Sequence, residues 1–509
     1  MGKFSRRISE VAGWTFASRV LGLLRDILLF AALGTGPLNS AFILAFTLPN
    51  LFRRLLGEGA LTSSSIPVLS ASMERGGRPD AFGLLNAILV RLGLVLLLLL
   101  LAGIPLLFLV HRIPGLEERW YLGARLSQIL LPYMLFICLG ALVCGMLNVI
   151  GRFALASFNQ VWLNLGMILS ILAGLALFPV SGWNRVLLLS AGVLSGGLLQ
   201  LLVPAWGLRR QGWVPGLRMV AHPDLTKVLR LFLPGLMGAA IFQLNILVSR
   251  FLAFSLDDTA TGLLYIASRL VELPLGVFAI AVTTVVFPEL SRLAANGREE
   301  AFAGVFTRGL GMILMITLPA MLGLVLLAGP ILGFLFEWGL FESRDVKAAA
   351  PVLMVSAVGL PFFAWSTLLT RAWYARQQMR TPVRLAGVNL VLNFLLGITL
   401  MQYLGAVGLA MANALSSMVH CLALQYFLPG RALRGMNWRT PASLLLALGA
   451  LSLAILASLS LAAHLPLSGK LRDLMVVLAG IPVAAGVYFG VLFVLRFPLL
   501  GELFSRGRG

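Results

Sequence analysis

Residues 18–30 read Ser18-Arg19-Val20-Leu21-Gly22-Leu23-Leu24-Arg25-Asp26-Ile27-Leu28-Leu29-Phe30, and residues 48–58 read Leu48-Pro49-Asn50-Leu51-Phe52-Arg53-Arg54-Leu55-Leu56-Gly57-Glu58. Both stretches are apolar on either side of their charges. A charge at mid-membrane costs about 2.5–3.5 kcal/mol on insertion scales, so Arg19, Arg25, Arg53 and Arg54 in neighbouring spans require water, partners or an anionic ligand. Snorkelling of a long stem to the headgroups accounts for one arginine near a helix end. It does not account for Asp26 and Glu58, whose short side chains need a partner close by.

Composition extends this reading to the whole chain. Of 509 residues, 59% are hydrophobic and 11% charged, with a mean hydropathy of +0.96. Soluble domains are about 45–50% apolar and 25% charged. The expected fold is therefore all-α and polytopic. Apolar runs of about 20 residues per span predict fourteen transmembrane helices near 9–33, 38–70, 82–110, 123–149, 156–179, 185–207, 227–252, 261–291, 303–328, 347–373, 384–403, 406–427, 440–463 and 473–497. The first of these is long, charged and without a small-residue cleavage site, so no cleavable signal peptide is expected.

A net charge of +20 invites a nucleic-acid reading, but the basic residues fall in alternate short loops, as the positive-inside rule requires. Lys3, Arg6, Arg7, Arg75, Arg78, Arg152, Arg209, Arg210, Arg292, Arg298, Arg376, Arg380 and Arg506 share one side, which places both termini in the cytoplasm. Glu117, Glu118, Asp257, Asp258, Glu342 and Asp345 fall opposite, with Arg112, Arg119, Lys470 and Arg472 as exceptions.

Cys138, Cys144 and Cys421 and the four histidines lack metal-ligand spacing, so no metal is expected. Phosphate-binding glycine loops and nucleophile elbows are absent from the sequence, and no insertion is large enough for a nucleotide domain. The chain reads as a carrier rather than an enzyme, without catalytic residues or a cofactor, driven by gradients or membrane potential.

Three weak echoes share an offset of about 225 residues. Leu48-Pro49 recurs as Leu273-Pro274, Ile66-Pro67-Val68-Leu69-Ser70 as Phe287-Pro288-Glu289-Leu290-Ser291, and Arg152 with Asn159 and Asn164 as Arg380 with Asn389 and Asn393. The expected organisation is two six-helix lobes, residues 1–222 and 223–436, around a central cationic cavity, with an extra helix pair at 437–509. Pro49 and Pro274 then read as hinges, because proline removes a backbone hydrogen bond within a helix. Charges flank both: Arg53, Arg54 and Glu58 follow the first, and Arg269 and Glu272 precede the second.

Arg19, Arg25, Arg53, Arg54 and Arg269 against Asp26, Glu58 and Glu272 leave a net +2, which suits a diphosphate. Arg19 and Asp26 lie two turns apart on one helix face, Arg54 and Glu58 are i,i+4, and Arg269 and Glu272 are i,i+3. Such acids can orient arginines whose planar forks bind phosphate oxygens in pairs.

Ser18-Arg19-Val20-Leu21-Gly22, Arg25-Asp26, Leu48 to Arg54, Glu58-Gly59-Ala60, Ser268-Arg269-Leu270 with Glu272 and Pro274, and Thr381-Pro382-Val383 resemble the MurJ/MviN family, bacterial lipid II flippases of the MATE-like exporter superfamily. The resemblance spans nearly the whole chain. It implies a cytoplasmic-membrane protein that carries lipid II, the polyprenyl-diphosphate-linked disaccharide-pentapeptide, to the outer leaflet by alternating access for peptidoglycan synthesis. Membrane lipids and the cell-wall synthesis machinery are its expected partners. Matched by motif, Arg19, Arg25, Arg53 and Arg269 would bind the head group, Asp26, Arg54, Glu58 and Glu272 would gate or orient it, and the last two helices would form a groove for the lipid tail. Some relatives couple to sodium; here Asn389 and Asn393 are the nearest polar pair, with interhelical hydrogen bonding as their expected role. Where relatives often carry aspartate before Ala-Phe, this chain has Ser40.

Rival readings make different demands. A cation antiporter should line its cavity with acid, and an enzyme on lipid diphosphates should present clustered carboxylates to the cytoplasm, whereas the one Asp-Asp, Asp257-Asp258, falls on the outer side. Another polyprenyl-diphosphate-linked oligosaccharide is the alternative cargo. A scaffold for wall assembly would tolerate loss of the charges.

Overall fold

Runs of Leu, Ala, Val and Ile broken by Gly and Pro give helices throughout a computed structural model that describes residues 2–57, 60–178, 182–216, 218–219, 221–429, 439–466 and 468–500. Among the described residues there is no strand. The order is α1 Gly2–Leu33, α2 Pro37–Phe52, a π-helical turn Arg53–Gly57, α3 Ala60–Val110, α4 Glu118–Leu130, α5 Tyr133–Val149, α6 Phe153–Leu177, α7 Gly182–Arg209 and α8 Leu225–Leu256. There follow α9 Ala260–Pro274, a second π-helical turn Leu275–Ala279, α10 Ile280–Ala295, α11 Glu299–Leu326, α12 Ala328–Phe336, α13 Ser343–Val358, α14 Leu360–Ala375 and α15 Arg380–Phe427. The chain closes with α16 Arg439–His464, α17 Gly469–Met475, a third π-helical turn Val476–Gly480 and α18 Ile481–Val494.

Nine helical stretches among the described residues are long and apolar enough to cross a membrane. Two of them, Pro37–Val110 and Arg380–Phe427, each run two expected spans together. The reversals inside them sit at Gly77 (φ 69°) and Gly405 (φ 58°), a backbone region that costs a side-chain-bearing residue energy and glycine little. The other expected spans fall on α1, α8 and α9–α10, which carry Arg19, Arg25, Asp26, Arg250, Arg269 and Glu272. Short α12 was not expected.

The chain packs into two units. One comprises Met1–Gly262 with Trp338–Phe341, the other Leu263–Glu337 with Glu342–Gly509. The core of the first is built on Phe42, Phe46, Leu69, Tyr133, Met134 and Phe254; that of the second on Phe302, Phe306, Leu368, Trp373 and Leu424.

Inside the first unit, α6 and α7 approach through small residues. A β-carbon at Gly192 would lie 2.6 Å from the Gly166 carbonyl oxygen, and one at Gly196 would lie 3.0 Å from the Trp162 carbonyl oxygen. Such backbone contact is the usual route to helix association where lipid removes the hydrophobic drive.

Loops expected on one side of the membrane do meet. Arg78 Nη1 donates to the Gln211 carbonyl at 3.4 Å, Asn86 Nδ2 to the Val214 carbonyl at 2.9 Å, and Trp213 Nε1 to Asn86 Oδ1 at 2.8 Å. Arg75 pairs with buried Asp224, which Lys227 also holds at 2.8 Å, and His222 Nε2 lies 3.3 Å from Asp80. Opposite-side loops also meet: Arg119, 6% exposed, pairs with Glu117, lies 3.7 Å from Asp258 and donates to the Ser255 carbonyl at 3.3 Å. Arg119 thus sits among acidic side chains. In the second unit, Arg376 makes two bonds to Glu299.

Candidate functional site

The arginines singled out in the sequence fall into different environments. Arg25 is buried in α1, only 5% exposed, and its neighbour Asp26 is 3% exposed. Arg25 donates to Asp26 Oδ1 from Nε at 3.0 Å and from Nη2 at 2.7 Å. Its Nη1 donates to Asn164 Oδ1 of α6 at 3.1 Å. Asn164, itself buried, donates from Nδ2 to the Ser18 carbonyl at 3.0 Å. Asp26 therefore takes its sequence neighbour, a pairing that helix-face spacing did not suggest. Arg19 is exposed.

Pro49 lies buried inside α2, and the π-helical turn Arg53–Gly57 begins one turn later. Widened turns of this kind re-aim side chains and recur at functional sites. Arg53 is half-buried and donates from Nε to Asn50 Oδ1 at 3.0 Å, while Asn50 Nδ2 donates back to the Phe46 carbonyl at 3.2 Å. The amide thus gives the guanidinium a neutral acceptor. Arg54 is also half-buried; Glu58 lies outside the described residues.

The second unit repeats the theme within itself. Pro274 ends α9 and is followed at once by the π-helical turn Leu275–Ala279. The two turns begin 222 residues apart, at Arg53 and Leu275, close to the offset of the sequence echoes. Arg269 donates to the Tyr265 hydroxyl from Nε at 3.2 Å and from Nη2 at 3.0 Å, and its carbon Cζ lies 5.1 Å from the Tyr265 ring centroid. Glu272 meets Arg269 Nη1 at 3.2 Å, the expected i,i+3 pair, with both side chains about a third to a half exposed.

Other polar residues take structural parts. Ser40, fully buried, donates to the Asp258 carbonyl at 2.5 Å. Asp257 Oδ1 accepts from Thr259 N, Thr259 Oγ1 and Ala260 N at 2.7–2.8 Å, capping α9. The Asp-Asp pair is thus spent on a helix start and on Arg119. Beside it a concavity of about 350 Å³ is lined by Pro37, Glu117, Glu118, Arg119, Leu256, Asp257 and Asp258. Its acidic lining is unsuited to a diphosphate. Asn393 is buried in α15, whereas the buried Oδ1 of Asn389 has no hydrogen-bond partner among the described residues.

Asn164, Asn50 and Tyr265 were not among the site residues expected from sequence. Asn50 and Tyr265 stand three and four residues before the arginines they hold, a spacing that could have found them. Asn164 is 139 residues from Arg25, so no local pattern carries that contact.

Long apolar helices with internal prolines, π-helical turns and arginines inside apolar segments define a polytopic membrane protein. The solved structures it resembles are of that architecture: a chain described as "Lipid II flippase MurJ, inward closed conformation" (TM-score 0.78, 23% identity, 97% of this chain and 99% of that one) and an inward-facing multidrug resistance MATE family transporter of the MOP superfamily (TM-score 0.65, 15% identity, 79% and 92%). The family described as Lipid II flippase MurJ matches residues 29–477. Probable lipid II flippases MurJ of Rhizobium tropici and Rhizobium meliloti (strain 1021) are 32% and 34% identical, each over 82% of this chain and 80% and 79% of their own lengths. The Lipid II flippase MurJ of Burkholderia cenocepacia is 29% identical over 82% of both chains. The chain belongs to the MurJ family, a transporter family of multi-pass membrane proteins.

Proposed function

We propose that this protein carries lipid II from the inner to the outer leaflet of the cytoplasmic membrane by alternating access, supplying peptidoglycan synthesis, and that it is not an enzyme. The observation that supports this most is the guanidinium of Arg25, held inside an apolar helix by one carboxylate and one amide. An arginine so placed is costly unless it has a task. A planar fork of donors matches the paired oxygens of a diphosphate.

In this reading Arg19, Arg25 and Arg53 bind the diphosphate and head group, and Arg269 has the same chemistry in the second unit. Asp26 occupies the Nε–Nη2 edge of Arg25, so a phosphate oxygen competes with Asp26 for that edge. Exchange of one for the other links head-group capture to a change in how α1 is held. Arg54, Glu58 and Glu272 orient these arginines, and the π-helical turns after Pro49 and Pro274 serve as hinges.

The two lobes at 1–222 and 223–436 supply the alternating elements, and the helix pair at 437–509 takes the lipid tail. Both termini face the cytoplasm, where the basic loops gather. The emptied, net-positive carrier is reset by the membrane potential, worth about 2.3 kcal/mol per charge per 100 mV across the full field. Wall-synthesis enzymes receive the cargo outside.

The test is reconstitution of the purified protein in vesicles carrying labelled lipid II in one leaflet. Movement of lipid II with a membrane potential imposed, and little movement without it, is the expected result. Equal or faster movement of a different polyprenyl-diphosphate-linked oligosaccharide would reassign the cargo.

A further inference from the structure

The geometry points to Asn164 as a positioning residue for the binding site: it sets the plane of the Arg25 guanidinium from a second helix, and it does so because an amide carries no charge. This rests on the reading of Arg25 as a head-group ligand.

Arg25 is fixed along two edges. Asp26, on the same helix, takes Nε and Nη2; Asn164, on α6, takes Nη1 at 3.1 Å. Two anchors on different helices determine the orientation of a planar group, whereas the Asp26 edge alone leaves the plane free to swing about it. The amide is itself oriented, because its Nδ2 donates to the Ser18 carbonyl at 3.0 Å, which leaves Oδ1 as the end that accepts from a guanidinium. Asn164 is 5% exposed, so water does not substitute readily for it.

Charge explains the residue type. Arg25 and Asp26 together are neutral. A second carboxylate at position 164 would add a negative charge beside Arg25, repelling a diphosphate while binding Arg25 more tightly. The amide dipole supplies an acceptor and leaves the charge balance untouched. Arg53 likewise donates to an amide oxygen, that of Asn50.

The test is a double-mutant cycle read as lipid II affinity of the full chain in nanodiscs, with thermal unfolding measured in parallel. Asn164→Leu should weaken binding about ten- to a hundredfold, the range for losing a hydrogen bond to a charged group. In an Arg25→Ala background the same change should alter affinity less than about twofold, because the group it positions is gone. Asn164→Asp, which keeps the acceptor and nearly the same volume, should also weaken binding, and adding Asp26→Asn should recover most of the loss by restoring the parent's total charge. An equal fold-loss from Asn164→Leu with and without Arg25 would overturn the inference, as would Asn164→Asp binding like the parent. If Arg25→Ala alone leaves affinity at the parent value, the reading of Arg25 as a ligand fails first and takes this inference with it.

Discussion

Arg53 donates from Nε to Asn50 Oδ1 at 3.0 Å, across the junction where α2 gives way to a π-helical turn. The amide is a neutral acceptor for the guanidinium. Asn50→Asp would retain an acceptor but set a carboxylate against Arg53. Transport by Asn50→Asp should therefore fall below that of Asn50→Ala, by about tenfold relative to the parent, measured as lipid II flipping in vesicles. The opposite order would show that geometry matters at Arg53 and charge does not.

Arg269 rests on Tyr265 by both hydroxyl and ring. Tyr265→Phe keeps the ring and removes the acceptor, so a loss of about two- to fivefold in flipping is expected. Tyr265→Ala removes both and should lose more. Equal activity of the two variants would assign the whole effect to the hydroxyl.

Lys227 and Arg75 beside Asp224 hold its carboxyl below the usual aspartate range. The folded value lies below the unfolded one, so the contribution to stability is present above the unfolded value of about 3.9 and is lost as pH falls through the folded value. The protection from amide exchange across residues 211–216 and 221–224 that depends on Asp224, read as the difference between the parent and Asp224→Asn after correction for intrinsic rates, should hold at neutral pH and be lost only in strong acid. Asp224→Asn should loosen the segment at neutral pH and remove that acid dependence. Arg75 is more than half exposed, so high salt should weaken its share.

Much of this architecture was legible in the chain. Hydropathy located the helices, and Gly77 and Gly405 reverse the chain between spans that the apolar runs had already separated. The i,i+3 pair Arg269–Glu272 followed from helix geometry alone. Helix spacing could not show Arg25 bonded to both Asp26 and Asn164, because an arginine stem reaches around its helix to a neighbour and across to a residue 139 positions away. Nor could composition reveal the π-helical turns: proline marks a weakened ladder, but where the ladder widens depends on what packs against it.

Close contact of α6 and α7 sets the placement of Asn164. Gly192→Leu would drive a side chain into the Gly166 carbonyl and Ser170, with an expected cost of about 1–3 kcal/mol or more. A lower unfolding temperature together with weaker lipid II binding is the predicted outcome. Unchanged stability would mean the two helices separate easily.

The central claim is that a cationic site in this chain carries lipid II. It is tested most directly in cells depleted of their own flippase, by rescue of growth and by outer-leaflet accessibility of lipid II, with the parent and with Arg53→Ala. The account predicts rescue and restored accessibility by the parent, and neither by Arg53→Ala inserted at normal levels. A parent that inserts but leaves lipid II inaccessible would contradict the cargo, and rescue by both would contradict the site.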